Sequence, residues 1–391
     1  MKRCHSIHAF CGWGLAFLMS AATACAQQPE GDHVHTLELL KKITLAQGSS
    51  GNEGDIRAIV RATVGKGVAL QETPKGDLVA RLQGTEDGPV ILLTAHMDEV
   101  GFQVRAITPD GFLLLAPLGN WYAESMADHL VTVRTSQGIL TGVVGVRPPH
   151  LMSPADKTTA PGVKAMYIDI GASSAAQARK WGVQLGDRVV PQSGFLQLGK
   201  AGRYISKAWD DRVGCALLAQ LTRQFATRPH PNTIYVAWTT GEEFGRSNAT
   251  VEMPGLKPDF VIVMEVGITT DTPDAKAGEQ QEKLGDGPAL DLYDGSISTA
   301  PAVRDWFTAQ AHAAGIPLQY TTIQQEGSGV GVENSSYLFR APSTALLVPL
   351  RYAHSPRGVI DIHDYIQARE LLAYVLGNLN HSALRQMTGA E

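Results

Sequence analysis

Apolar positions along the chain fall into two textures. Asp77-Leu78-Val79-Ala80-Arg81-Leu82 alternates as a half-buried strand does. The run 89–94 is continuously apolar, the mark of a strand covered on both faces. Ahead of these, 36–45 has helical spacing. Ser49-Ser50-Gly51-Asn52-Glu53 offers caps for a second helix reaching about Val64. The same texture returns after 198, with a helix over 212–225 and strands near 233–240 and 260–266. A helix near 302–314, strands near 317–323 and 343–349 and a last helix near 364–379 complete the series. Helices alternating with buried strands imply an α/β fold, a mixed sheet with helices on both faces. Between 107 and 198 the apolar runs shorten to 111–116, 130–135, 139–146 and 188–190, separated by Gly, Pro, Asp and Ser turns. That pattern predicts a small β domain, barrel-like, inserted into an α/β domain made of 33–106 and 199–385.

The N-terminus differs from both. Met1-Lys2-Arg3 precedes an apolar stretch over 9–24, which ends in Ala24-Cys25-Ala26 before Gln27-Gln28-Pro29. A basic start, a short apolar run and an Ala-X-Ala site read as a signal peptide over 1–26, cleaved after Ala26, which implies a periplasmic or secreted protein. A membrane anchor is the alternative, but the run is short and broken by Gly12 and Gly14. Lipidation at Cys25 is a second alternative, though Ala22 stands where leucine is usual. No later run is long and apolar enough to span a bilayer.

With 391 residues and 44% hydrophobic content, the chain can bury a large core in one to three domains. A net charge of -5, with no basic run, gives no signal for nucleic acid. Loss of Lys2 and Arg3 with the leader takes it from -5 to -7. Three of the four cysteines (Cys4, Cys11 and Cys25) lie in that leader, so Cys215 alone remains and an internal disulfide is excluded.

Candidate chemistry gathers just past the apolar runs. Glu242 and Glu243 follow the strand near 233–240; alone, such a pair is most simply a solvated turn. His96 and Asp98 end the run after 89–94. Two residues apart on an extended chain, they face the same side. A carboxylate there could orient a metal-bound imidazole, and an ordinary hydrogen-bonded histidine is the plainer reading. Asp210 and Asp211 precede a helix, where one of them could be its N-cap. Glu265 ends the run near 260–266, with Asp271 beyond it as a fallback ligand, and His354 follows the run near 343–349. Imidazole and carboxylate donors without thiolates suit zinc, cobalt or manganese.

These segments together resemble the tetrahedral-type aminopeptidases, peptidase family forty-two, which includes glutamyl and deblocking aminopeptidases. The matching motifs occur in order over nearly all of the chain past the leader. They are Ala95-His96-Met97-Asp98-Glu99-Val100-Gly101-Phe102, Val146-Arg147-Pro148-Pro149-His150, Asp169-Ile170-Gly171-Ala172 and Trp209-Asp210-Asp211-Arg212, then Gly241-Glu242-Glu243, Leu284-Gly285-Asp286-Gly287-Pro288 and Arg351-Tyr352-Ala353-His354-Ser355-Pro356. The resemblance implies two divalent metal ions (zinc, cobalt or manganese). His96, Asp210 and Glu265 would hold one; Asp210, Glu243 and His354 would hold the other, with Asp210 as the bridge. Glu242 would be the general base and Asp98 the partner of His96. Short peptides would be the substrates. The inserted domain would mediate assembly into a homo-oligomer, a dodecamer among the possibilities.

Three features depart from the family pattern. Glu265 stands where Asp is usual. The segment 326–334 replaces a Gly-Gly-Thr-Asp-Ala-like stretch, with Glu333 as a stand-in for its aspartate, and Gly327, Gly329 and Gly331 lack the strand–helix context of a dinucleotide fingerprint. The leader peptide is the third. Glu265 keeps a metal-dependent carboxypeptidase or N-acyl-amino-acid deacylase open as an alternative. A non-catalytic binding protein on a peptidase scaffold is the other alternative, and the retention of Glu242 and of every proposed ligand argues against it.

Overall fold

The computed structural model describes residues 30–85, 87–153, 162–244, 255–276, 281–294, 297–322 and 341–389. The expected leader over 1–26, with Cys25 and Ala26, lies outside the described residues, as do Gly327, Gly329, Gly331 and Glu333. The chain separates into two units, Met1–Leu37 and Glu38–Glu391; every strand, and every helix after the first, belongs to the second.

Helix α1 (Glu30–Leu45) precedes α2 (Gly54–Val64), and strands β1 (Leu70–Glu72), β2 (Leu78–Leu82) and β3 (Val90–His96) come after it. Next come β4 (Gly101–Ile107), β5 (Leu113–Leu118), β6 (Leu130–Thr135), β7 (Gly138–Gly145), β8 (Tyr167–Asp169), α3 (Ala175–Lys180) and β9 (Arg188–Pro191). Strands β4 to β9 close a six-stranded barrel that opens at Gly101, ahead of the expected boundary at 107. Its interior is apolar, built on Phe102, Val104, Leu113, Leu115, Val131, Val133 and Ile168. The chain then gives β10 (Leu196–Leu198), β11 (Arg203–Ser206), α4 (Trp209–Phe225), β12 (Thr233–Thr239), β13 (Phe260–Ile268) and β14 (Ala289–Tyr293). It ends with α5 (Pro301–Ala314), β15 (Gln319–Thr322), β16 (Ser343–Leu350), β17 (Gly358–Asp361), α6 (Ile362–Asn378) and α7 (His381–Thr388).

The main sheet has eight strands in the order β1-β2-β12-β3-β13-β16-β14-β15. Its four central strands, β12, β3, β13 and β16, are mutually parallel, and β2 and β14 flank them antiparallel. Covered on both faces, β13 carries the run Phe-Val-Ile-Val-Met rather than an alternation. Helix α4 packs on β3 and β13, and α6 on β16. Val79, Leu92, Val261, Val263, Ala345 and Leu347 belong to one apolar cluster of the sheet. Each such valine or leucine contributes about 1.5–3 kcal/mol by leaving water. A rigid central sheet with a common carboxyl-terminal end results. Among the described residues no helix is long and apolar enough to cross a membrane.

Candidate metal centre

Open α/β sheets bind ligands beyond the carboxyl ends of their parallel strands, and the expected chemistry lies there. His96 is the last residue of β3, paired with Thr239, the last of β12. On the other side β3 pairs with β13 as far as Thr94 and Val263, so Glu265, two residues on, comes beside His96. Glu242 and Glu243 follow β12, and His354 follows β16.

Asp210 enters from the start of α4. Asp210 and Asp211 have non-helical backbone angles and are joined by a cis peptide bond. Asp211 accepts the N–H of Gly214 at 2.9 Å, as an N-cap does, and the N–H of His96 at 3.2 Å. The two aspartates thus divide the capping and site roles that the sequence leaves open. Asp210 places Oδ1 2.9 Å from Nε2 of His96 and Oδ2 3.2 Å from Nε2 of His354.

Two trios result. Donor atoms of His96, Asp210 and Glu265 all lie within 4.8 Å of one another, and so do those of Asp210, Glu243 and His354. Glu265 Oε2 is 3.2 Å from His96 Nε2, and Glu243 Oε2 is 3.4 Å from His354 Nε2. Glu242 Oε2 stands 3.8 Å from His96 Nε2. Every residue expected to hold metal is therefore in one place, with Glu242 beside them. Asp271 is not there: it makes a two-pronged pair with Arg351, Oδ1 to Nε at 2.7 Å and Oδ2 to Nη2 at 2.5 Å.

Asp98 meets His96 as expected, Oδ1 lying 3.6 Å from Nδ1, and does more. Its main-chain carbonyl, 3.0 Å from His96 Nδ1, accepts that ring N–H and turns Nε2 toward the trio. Its carboxylate accepts the N–H groups of Glu242 and Glu243 at 3.1 and 3.2 Å and the hydroxyl of Ser50 at 2.5 Å. One buried side chain thus fixes the turn that presents both glutamates. Ser50, which reads as a helix cap in the sequence, serves Asp98 instead.

Neighbours that the sequence reading leaves unassigned complete the setting. Lys207 Nζ donates to both oxygens of Glu99 at 2.6 Å and to the carbonyl of Ala46 at 2.9 Å, so Glu99 is neutralised beside the centre. Trp121 and Pro191 from the barrel, with Trp209 and Tyr352, line the cleft over Asp210, Glu243 and His354. Trp121 is held by a bond from its ring N–H to Gly101 O at 2.9 Å and by stacking on Phe102. Gly119, at φ 84°, follows the end of β5, and a Cβ there would come 2.6 Å from Val100 and 3.3 Å from Glu243 Oε2. The barrel therefore closes one wall of the site.

Burial drives Glu242 up to about 7 and Glu265 up to about 8, with the Asp210 charge adding to both and His96 opposing. Burial raises Glu243 as well, against the pull of His354. Burial would lower His354, but Glu243 and Asp210 outweigh it and carry it to about 10. Asp210 is lowered: burial opposes this, and hydrogen bonds from His354 and His96 prevail. The donors fit divalent cations. They are imidazole nitrogens and carboxylate oxygens in two trios sharing one aspartate, and Glu243 Oε1 is buried with no hydrogen-bond partner among the described residues.

A model of the M42 glutamyl aminopeptidase family matches residues 76–371. The chain belongs to the M42 family. Its members include peptidases, and this M42 protein is a peptide-bond hydrolase of the aminopeptidase kind. It is 29% identical to the glutamyl aminopeptidase of Lactococcus lactis subsp. cremoris over 348 residues, 87% of this chain and 96% of the relative. The TET aminopeptidase of the marine sediment archaeon Thaumarchaeota archaeon SCGC AB-539-E09 superposes with a TM-score of 0.85 at 31% identity, over 91% of this M42 chain and 100% of that one. TET1 peptidase of Pyrococcus horikoshii, which can assemble into a tetrahedron or a large octahedral shell, gives a TM-score of 0.78 at 26% identity, over 88% and 100%.

Proposed function

We propose that this M42 chain is an exported, dinuclear metal-dependent aminopeptidase that removes N-terminal residues from short peptides. The observation that carries the reading is the division of Asp210, one oxygen toward His96 and the other toward His354. Such a carboxylate is placed to bridge two cations. His96, Asp210 and Glu265 would hold one ion and Asp210, Glu243 and His354 the other, zinc, cobalt or manganese being suited to these donors. A pair of such ions supplies acidified water and a polarised carbonyl.

The chain's own groups supply the rest. Glu242, beside both trios and 3.8 Å from His96 Nε2, is placed to take a proton and hand it to the leaving amine. Asp98 holds the turn under Glu242, so the base keeps its place as its charge changes. The aromatic walls of the cleft, Trp121, Trp209 and Tyr352, limit what reaches Glu242. Glu265 supports the first trio at 3.2 Å from His96 despite standing where Asp is usual.

Export rests on Lys2-Arg3, the apolar run and Ala24-Cys25-Ala26. A homo-oligomer, a dodecamer among the possible forms, rests on the assemblies of the TET1 relative. Leu130, Ile139 and Leu185, exposed on the barrel domain, are candidate contacts.

The test monitors release of the first residue from short peptides, each offered with a free and an acetylated N-terminus, by the chain loaded with zinc, cobalt or manganese. Metal-dependent cleavage of the free-amine forms alone is expected. Cleavage of acetylated forms, or release from the C-terminus, would replace this reading with the deacylase or carboxypeptidase one.

A further inference from the structure

His354 lies on a loop that leaves the sheet and returns to pair with its own start. The loop begins at Arg351, directly after β16, and closes where Arg351 and Val359 exchange hydrogen bonds, Arg351 N–H to Val359 O at 3.0 Å and Val359 N–H to Arg351 O at 3.1 Å. Within it, Tyr352 and His354 sit at φ 61° and 54°, left-handed backbone that side-chain-bearing residues avoid. Such conformations persist only where their surroundings over-determine them.

One contact at the loop's base can do this. β13 and β16 run paired to Ile268 and Leu350, and Thr269 N–H donates to Leu350 O at 3.0 Å. Just beyond that pairing, Arg351 presents Nε and Nη2 to the two oxygens of Asp271 at 2.7 and 2.5 Å, with 17% and 10% of the side chains exposed. Two parallel charge-assisted bonds fix direction as well as distance. Asp271 also accepts the N–H of Leu284 at 3.2 Å, which ties the fork to a third segment. From this base the chain turns through two left-handed residues to put His354 Nε2 3.2 Å from Asp210 and 3.4 Å from Glu243.

We infer that Asp271 is a positioning residue for the second metal position: through its fork with Arg351 it aims His354, and so sets the affinity of the Asp210–Glu243–His354 trio for its ion. The inference rests on the dinuclear reading above. Of the first trio, His96 and Glu265 are carried by β3 and β13 and held by partners outside the fork, and Asp210 is the ligand it shares with the second.

The experiment titrates Co²⁺ into the metal-free full chain, into Asp271→Asn and into Arg351→Lys, by calorimetry with metal analysis of the dialysed protein. The wild-type chain is expected to take two ions. Asp271→Asn should bind the first with unchanged affinity and the second about ten- to a hundredfold more weakly, the usual range for losing a group that orients a ligand. Arg351→Lys keeps the charge and loses the fork, so its second ion should weaken by a smaller factor in that range. If Asp271→Asn fails to fold, Arg351→Lys alone decides. Two ions bound with wild-type affinity by a folded variant overturn the inference while leaving the dinuclear centre intact. Equal weakening of both ions overturns it too, since that marks general loosening. A wild-type chain that takes only one ion overturns the dinuclear reading and this inference together.

Discussion

The metal centre and the neighbouring β13–β14 region both bury several carboxyl groups, and they surround them with different neighbours. At the centre, Asp98, Asp210, Glu243 and Glu265 meet two histidines and donors aimed at particular oxygens. Next to it, the carboxyl of Glu282 lies against the backbone of β13, where a Cβ on Gly267 would come within 2.2 Å of Oε2. Asp291, on β14, is equally buried. Among the described residues, neither oxygen of either side chain has a hydrogen-bond partner. Burial, then Asp291 and Asp364, hold Glu282 up to about 8, and burial, then the Asp294 charge, hold Asp291 up to about 8. Burial disfavours charge in both regions; the difference is what stands opposite. Where imidazoles and N–H groups converge, a carboxylate such as Asp210 stays ionised and available to a cation. Among the described residues no cation converges on Glu282 or Asp291, and burial favours their protonated form.

The largest expected effect separates the base from the ligands within the centre. Glu242→Gln removes the proton carrier but touches neither trio, so kcat should fall by about 10²–10⁴-fold, the range for losing a general base. Metal analysis should still find two ions per chain. Loss of an ion together with turnover would make Glu242 a ligand and remove the distinction between the pair.

The next effect tests the second region. Glu282 has a folded pKa of about 8 against an ordinary 4.5, so its proton is held more tightly in the folded chain. Its stabilising share is complete below the ordinary value, is lost as pH rises, and levels off above the folded value. Within that window stability should decline by on the order of 1 kcal/mol per pH unit for each such group. Glu282→Gln should flatten this slope in urea unfolding of the metal-loaded protein. A slope unchanged by the substitution would show that Glu282 is charged and partnered after all.

The sequence made much of the centre legible because the strand ends announce it: an apolar run that stops at His96, Glu242 or Glu265 has put a polar group at the edge of a sheet. The barrel was legible in the same way, from short runs between turns, except for β4, whose Gly-Phe-Gln-Val start continues the chain from β3 with no turn signal between, and for β8, only three residues long. Other features are contacts across long sequence distances that no local pattern encodes. Ser50 meets Asp98, Lys207 meets Glu99, and Asp271 meets Arg351. Asp271 shows the cost of this: by spacing alone it passes for a spare ligand, and only the guanidinium opposite removes it from the metal set. The helices that alternation predicts do pack on the sheet: α4 on β3 and β13, α6 on β16, and α5 through Phe307 stacked on Phe260 of β13.

The smallest effect concerns the residue that joins the two histidine-facing trios without being a ligand. Asp98→Asn keeps the main-chain carbonyl that orients His96, so that imidazole should stay in place. It replaces one carboxylate oxygen by an amide NH₂ that cannot accept from the N–H of Glu242 or Glu243, and one of those bonds, now about 3.1–3.2 Å, must break. The turn carrying both glutamates then loosens. Metal affinity should fall about ten- to a hundredfold, mainly in the trio that contains Glu243. Competition against a chelator reads the affinity, and excess metal should restore most of the turnover. Turnover that stays low at saturating metal would instead place the effect on Glu242, making Asp98 a support of the base more than of the ions. Unchanged affinity and turnover would mean that the turn holds without its carboxylate, and that the contrast between partnered and unpartnered buried acids does not extend to Asp98.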